Sequence, residues 1–306
     1  MTPSPVHVTL LRPEPHQRSS FAIAEETLDT ANRVARMQGR ATVFAVEVAV
    51  PPAMPVDTDL VVLPGLGLAT EGEVSRSMDT QGFTDLVRAL EAAPEQAVIA
   101  GACSACFALG AAGLLDGREV TTTWWLAPAL AKRVPRAKLR QGDLVVEDGR
   151  LITAGAAFSQ IDLMLHLIER FASFGIAEDC RRFLMADQRS SQLPYVSVAT
   201  LVAGDPALQR AELFLRQQIG TPVTVAELAA AAGLGQRSFA RRLQKVAAMT
   251  PSTFVQTLRM STAIRLARTT TLSQEEIAHR VGYSDATALR RVMRKLGGGS
   301  LDQHRR

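Results

Sequence analysis

Two groups of residues in this chain have types and spacings that could do chemistry. The first is a cysteine pair in the run Ala97-Val98-Ile99-Ala100-Gly101-Ala102-Cys103-Ser104-Ala105-Cys106. Apolar residues giving way to small ones around a cysteine read as a strand that turns sharply into a helix, the geometry that presents a nucleophile at the end of a sheet. A thiolate at Cys103 could attack a carbonyl, provided a titratable neighbour moves the protons. The N-terminus of the helix that follows would lower its pKa. Cys103 and Cys106 also have the C-x-x-C spacing of a dithiol switch. Their flanks lack a thioredoxin-like tryptophan or proline, and Cys106 can equally be a small packed hydrophobe. No second ligand pair stands at a zinc spacing, so neither a metal nor a cofactor is expected.

The second group is basic and occurs twice. From Thr224 the chain reads T-V-A-E-L-A-A-A-A-G-L-G-Q-R-S-F-A-R-R-L, and from Ser273 S-Q-E-E-I-A-H-R-V-G-Y-S-D-A-T-A-L-R-R-V-M. Thr224 with Glu227, and Ser273 with Glu276, form S/T-x-x-E capping boxes in which a hydroxyl and a carboxylate satisfy the free N–H groups of a helix start. Ala229 and Gly233 recur as Ala278 and Gly282: a small residue for close helix approach, and a glycine able to leave the helix at positive φ. Phe239, Arg241 and Leu243 recur as Leu289, Arg291 and Met293 with an offset one residue greater, so the second turn is longer. Phe239, Leu243 and Val246 mark a buried helix face. The other face carries Gln236, Arg237, Ser238, Arg241, Arg242 and Lys245. The second copy offers Ser284, Asp285, Ala286, Thr287, Arg290, Arg291 and Arg294. An arginine-rich face alone is ordinary solvated surface; duplicated behind a helix-turn-helix pattern, it becomes a double-stranded DNA interface. Arg237 and Arg241 are placed to reach base edges, Arg242 and Lys245 to meet phosphate.

Between the two copies, Pro251 to Thr269 reads as one helix, with Thr250 as N-cap and Pro251 at its first position. At about 1.5 Å per residue it spans about 28 Å, near the roughly 34 Å between successive major-groove faces of B-DNA. One chain could thus set two recognition helices on one face of a duplex. Charge follows the same division. From Ala207 onward 16 Lys and Arg face 6 Asp and Glu, a net +10, whereas the whole chain is +4, leaving about −6 before it. Positive potential is concentrated where the repeat lies, as counterion release from phosphates requires.

Before that region, strands Val6 to Leu11, Thr42 to Val48, Leu60 to Leu63 and Ala97 to Ala100 alternate with helices Ser19 to Met37 and Gln81 to Ala92, the order of an α/β layered domain with a largely parallel sheet. The 306 residues, 47% hydrophobic, suffice for two domains with cores of their own. Asp187 to Asp205, with Ser190, Ser191 and Pro194, reads as a linker or arm. Three cysteines do not make an even secreted framework, no signal peptide or membrane span is visible, and a reducing cytoplasm is the simplest compartment. Gly65-Leu66-Gly67 lacks the third glycine of a dinucleotide fingerprint and reads as a tight turn. Trp124-Trp125 could line a pocket or supply core, and His166 reads as structural.

The repeat, with Gln236-Arg237-Ser238-Phe239-Ala240-Arg241-Arg242-Leu243, Met249-Thr250-Pro251 and Ile277-Ala278-His279-Arg280-Val281-Gly282-Tyr283, resembles the AraC/XylS family of transcription regulators over about Pro206 to Arg306. Its tail departs from that family: Leu301 follows Gly299-Ser300, and His304 stands in place of an aromatic residue. The Cys103 stretch, with Leu109 to Arg118, Thr121-Thr122-Thr123-Trp124, Leu151 to Gly155 and Ile161-Asp162-Leu163, resembles the ThiJ/PfpI group of the class I glutamine amidotransferase-like fold. Together the resemblances imply a sensory domain over 1–187, a linker over 188–205 and a double helix-turn-helix DNA-binding domain over 206–306. The fold they imply is an α/β parallel-sheet sandwich followed by an all-α domain. Enzymes of the ThiJ/PfpI group carry a histidine where this chain has Thr123, and threonine does not titrate near neutrality. The expectation is therefore a regulator that senses a small molecule without catalysis, through a pocket of Glu14, Gly65, Leu66, Cys103, Thr123, Trp124 and Ala156 at strand carboxyl ends. Its implied partners are promoter DNA, an effector of unknown identity, RNA polymerase and a second copy in a homodimer. Two rivals stay open: a cysteine-dependent amidase or glyoxalase-like enzyme with a DNA-binding appendage, and a redox-sensing regulator.

Overall fold

A computed structural model describes residues 4–140, 142–187, 189 and 191–305. The chain divides into two compact units, Met1–Ser190 and Ser191–Arg306. The first contains, in chain order, β1 (Val6–Leu11), α1 (Arg18–Met37), β2 (Phe44–Ala49), β3 (Leu60–Leu63), α2 (Glu71–Met78), α3 (Gln81–Glu91), β4 (Val98–Ala102) and α4 (Ala105–Ala111). It continues with β5 (Glu119–Val120), α5 (Ala127–Arg133), β6 (Lys138–Leu139), β7 (Val145–Asp148), β8 (Leu151–Ala154), α6 (Ser159–Phe171) and α7 (Phe174–Phe183).

The main sheet runs β2-β1-β3-β4-β8-β7 and is parallel except for β7, which pairs antiparallel with β8. Successive strand residues point to opposite faces, and here both faces are covered. Val8, Leu10, Val62, Ala100 and Ile152 pack with α1, α6 and α7 on one side. Leu11, Val61, Leu63, Ile99 and Leu151 pack with α2 to α5 on the other. This explains why the strands read as continuous apolar runs. It also places the turns after β1, β3, β4 and β8 together at the carboxyl edge of the sheet.

The second unit is helical among its described residues. A 3₁₀ turn at Leu193–Tyr195 precedes α8 (Val198–Val202), α9 (Pro206–Gln217), α10 (Val225–Ala232), α11 (Gln236–Ala247), α12 (Pro251–Thr269), α13 (Gln274–Arg280), α14 (Ala286–Lys295) and α15 (Leu301–His304). The linker expected over 188–205 is corrected in its described part. Val196, Val198, Leu201 and Val202 are buried, and α8 packs on α9, α11 and α12. Ser197 caps α8 and Asp205 caps α9. Serine and proline content suggested a loop, but these residues are serving as caps and turn formers around a short apolar helix.

Both expected capping boxes are present, at Thr224–Glu227 and Ser273–Glu276. Gly233 at φ 71° and Gly282 at φ 81° leave their helices in the left-handed region. Residues 233–235 separate α10 from α11, and 281–285 separate α13 from α14. The second turn gains one position from the inserted residue and another because α13 ends a residue early. The long α12 has the bounds and the Thr250 cap expected from sequence. Phe239 and Phe254 meet edge to face with ring centroids 6.4 Å apart in the first motif. Ile277, Val281, Leu289 and Met293 close around Met260 and Ile264 in the second. The divergent tail is anchored in its own way: Ser300 and Gln303 form a capping box, Leu301 is buried, and a His304 ring nitrogen lies 2.7 Å from Gly298 O.

Candidate functional site

Cys103 follows β4 in the left-handed region at φ 57°, a conformation that costs a non-glycine residue energy and that persists only when its surroundings hold it. They do so from three strands. Cys103 N donates to Ala154 O at 3.0 Å, and Thr122 Oγ1 donates to Cys103 O at 2.8 Å. The Ser104 hydroxyl accepts from Leu66 N at 3.0 Å and Leu68 N at 3.4 Å, tying the turn after β3 to the elbow. Gly65 lies close against the elbow. A Cβ there would stand 3.3 Å from Cys103 Cβ, 3.0 Å from Gln17 Oε1 and 3.5 Å from Ser20 Oγ.

The thiol is 3% exposed. Burial pushes its pKa up, against smaller opposing effects of Ser104 and the Thr123 hydroxyl. The helix N-terminus expected to lower it is outweighed, because desolvation of a fully enclosed thiolate is the larger effect. No charged group acts on it among the described residues. Thr123 Oγ1 lies buried with no partner beyond its approach to the thiol, and both amide atoms of buried Gln160, at the start of α6, are without partners among the described residues. Unpaired polar atoms of this kind are costly when dry and suit a bound polar molecule or water.

Of the seven pocket residues expected from sequence, Gly65, Leu66, Cys103 and Thr123 are buried in this region. Ala156 follows β8 and Trp124 is half-buried, edge-on to Trp125 at 5.2 Å. Glu14 is corrected: its side chain is 78% exposed and lies 3.6 Å from His16. The turn after β1 instead brings Gln17 to Gly65, through Gln17 N to Gly65 O at 2.7 Å. Glu14 and Gln17 are polar residues three positions apart, and only the fold of the turn decides which of them reaches Gly65. Ser20, Ser104 and Gln160 were also missed; no periodicity distinguishes a serine that bridges two turns from one on a surface. Cys106 is fully enclosed, its Sγ 3.2 Å from Thr121 O and its pKa pushed up to about 12 by burial. His166 pairs with Glu147 on the exposed side of α6, away from the elbow.

In the second unit, α11 buries Phe239, Leu243 and Ala247 and exposes Gln236, Arg237, Arg241, Arg242 and Lys245, with Ser238 half-buried. Among the described residues neither Arg237, Arg241 nor Lys245 enters a salt bridge. Arg242 does: its Nε lies 2.6 Å from Asp205 Oδ2. Asp205 accepts N–H bonds from Ala207 and Leu208 at the start of α9. Burial would raise the Asp205 pKa, but Arg242 and those N–H groups outweigh it and hold the carboxyl below its ordinary value. Arg242, expected on phosphate, thus ties α11 to α9.

The α14 face presents Thr287, Arg290, Arg291 and Arg294 to solvent. Asp285, expected as a contact residue, caps that helix by accepting from Ala288 N at 2.7 Å, and Ser284 donates to it at 2.8 Å. Ala286 N is engaged by Glu275 at 3.0 Å, and Arg290 reaches Gln274 at 3.3 Å. The second face therefore keeps fewer unengaged groups at its start than the first.

Comparison with known proteins assigns the two units. Residues 19–170 match the DJ-1/PfpI family, and residues 228–306 match the helix-turn-helix domain family. The chain thus joins a DJ-1/PfpI-family α/β domain to an AraC-type helix-turn-helix domain. Among curated proteins it is similar to the HTH-type transcriptional regulator GbdR of Pseudomonas aeruginosa, 24% identical over 199 residues that cover 64% of this chain and 54% of the relative. It is also similar to the HTH-type transcriptional regulator CdhR of Pseudomonas aeruginosa, 29% identical over 200 residues covering 64% of this chain and 59% of the relative. The chain spans little more than half the length of these relatives. A crystal structure of Drosophila melanogaster DJ-1beta aligns over 60% of this chain and 100% of that one, with 21% identity and a TM-score of 0.46.

Proposed function

We propose that this protein is a sequence-specific DNA-binding transcription regulator whose N-terminal unit senses a small molecule at the Cys103 elbow without converting it. The observation that carries the reading is the pair of helix-turn-helix motifs joined by α12, each with an exposed basic helix, within the +10 region of the chain. Arg237, Arg241 and Lys245 on α11, and Thr287, Arg291 and Arg294 on α14, are the residues assigned to duplex DNA. A ligand that binds one arrangement of the protein better than another would change DNA affinity by that difference. The walls around Cys103 offer hydroxyls and neutral amides, which suits a polar effector held by hydrogen bonds. Against turnover, the thiol is shifted toward its protonated form, and Thr123 stands where a titratable base would be needed. The elbow conformation retained at Cys103 favours the enzyme reading and is the reason to test it. A homodimer and contact with RNA polymerase complete the proposal.

The full-length protein should select duplex fragments from a genomic pool and bind them with affinity falling on the order of a thousandfold between 50 and 200 mM salt. Absent or salt-insensitive binding would end the DNA-binding reading. Turnover of simple amides or glyoxals that is abolished by Cys103→Ser and retained in Cys106→Ser would replace the sensor by an enzyme.

A further inference from the structure

Arg259, in the middle of α12, is 9% exposed and reaches both the loop that precedes the first helix-turn-helix motif and the turn of the second. Its Nη1 donates to Gly282 O at 3.0 Å, in the turn between α13 and α14. Its Nη2 donates to Thr221 O at 2.6 Å, in the loop that leads into α10. The guanidinium carbon lies 5.5 Å from the centroid of the Tyr283 ring. Among the described residues no carboxylate pairs with this buried cation; two carbonyls and an aromatic face receive it.

The two loops also meet without an intervening side chain. A Cβ on Gly282 would stand 2.6 Å from Arg259 Nη2 and 2.8 Å from Ile219 O, and one on Gly220 would stand 3.0 Å from Arg280 O. A planar guanidinium fixes the directions of its two N–H groups together, so both carbonyls are held in one geometry. A lysine has three N–H donors but on one nitrogen at the end of a flexible stem, so it cannot hold the two carbonyls in the geometry that two separate guanidinium nitrogens impose.

We propose that Arg259 is a positioning residue that sets the spacing at which α11 and α14 engage DNA, and so selects operators by the distance between their two contacted segments. It does this without touching DNA. The inference rests on the DNA-binding reading and adds to it a source of specificity outside both recognition helices.

The test uses the full-length protein and an operator selected from genomic fragments, with the two contacted segments mapped by footprinting. Operators with one base pair inserted or removed between the segments, and a DNA carrying one segment alone, complete the set. The wild type should bind the native spacing at least about thirtyfold more tightly than either altered spacing, as expected for losing one set of base contacts. Arg259→Lys should weaken binding to the native spacing about tenfold or more and leave the altered and single-segment DNAs unchanged, so that discrimination falls below about fivefold. Equal loss on every DNA, or an unchanged spacing preference, would overturn the proposal.

Circular dichroism reports whether the lysine variant folds. If it does not, Gly282→Ala, which keeps the guanidinium but crowds it, is measured on the same DNAs against the same two outcomes. A wild type that selects no DNA would sink the function itself. One that binds DNA but ignores spacing would sink only this role of Arg259.

Discussion

The two units handle polar chemistry in opposite ways. In the first, the chemically interesting groups are enclosed: Cys103, Ser104, Thr123 and Gln160 are buried at the carboxyl edge of a sheet covered on both faces. In the second, helices bury Phe239, Leu243, Leu289 and Met293 while Arg237, Arg241, Arg291 and Arg294 stand in solvent. The first arrangement suits a small molecule that must shed water to be recognised. The second suits a polyanion whose charge is felt at a distance. Burial, more than residue type, distinguishes the two proposed sites.

The largest effect should come from the core of the first motif. Phe239→Ala should destabilise the second unit by about 3–5 kcal/mol, because a fully buried ring is lost and a cavity left. Denaturant unfolding measures this, and loss of DNA binding should accompany it. Arg237→Ala or Arg241→Ala, by contrast, should leave stability unchanged and weaken the specific site by about 1–3 kcal/mol where the arginine grips a guanine. Equal loss on specific and random duplexes would reduce these side chains to phosphate anchors. Asp205→Ala should cost about 1–2 kcal/mol of stability through loss of a helix cap, with Arg242 set free.

The units should also differ in their response to pH. Cys106 is pushed up to about 12 and Cys180 to about 11 from the ordinary thiol value of 9.0. The unfolded chain therefore gives up these protons before the folded one, and stability of the first unit falls as pH rises through 9. Asp205 is lowered, so its contribution is present at neutral pH and is lost as pH falls below its ordinary value of 3.8. Unfolding curves at pH 7, 8 and 10 should show the alkaline loss, and Cys106→Ala should flatten it. A curve unmoved by that substitution would mean that the thiol is not the responsible group. The smallest effect is expected of Cys103→Ser, with stability changed by less than about 1 kcal/mol and DNA binding retained.

Legibility from sequence followed the range of the interactions. The capping boxes, Gly233, Gly282 and the bounds of α12 depend on residues a few positions apart, and they were readable. So were β1 to β4, whose runs are largely apolar, whereas the parallel β8 and the short parallel pair β5 and β6 did not read as strands. Nor did the antiparallel β7, since Val145-Val146-Glu147-Asp148 lacks the run of a central strand and owes its place to β8. The engagement of Arg242 with Asp205, of Gln17 with Gly65 and of Arg259 with two loops joins positions that only the fold brings together. Arg242 reads in the sequence as a phosphate contact, and Gln17 and Arg259 read as ordinary polar surface.

The same difference in range has a kinetic consequence. β1 must find β2 at Val6↔Phe44 and β3 at Val8↔Leu60, and β4 must wait for β8 at Ile99↔Leu151. Each of these pairings closes a long loop before any hydrogen bond rewards it. The helix starts at Thr224 and Ser273 are secured by partners three residues away. Topology of the first kind folds slowly and of the second quickly. Refolding followed by separate probes should therefore regain the helical region first, with the elbow at Cys103, which needs three strands in register, among the last features to form.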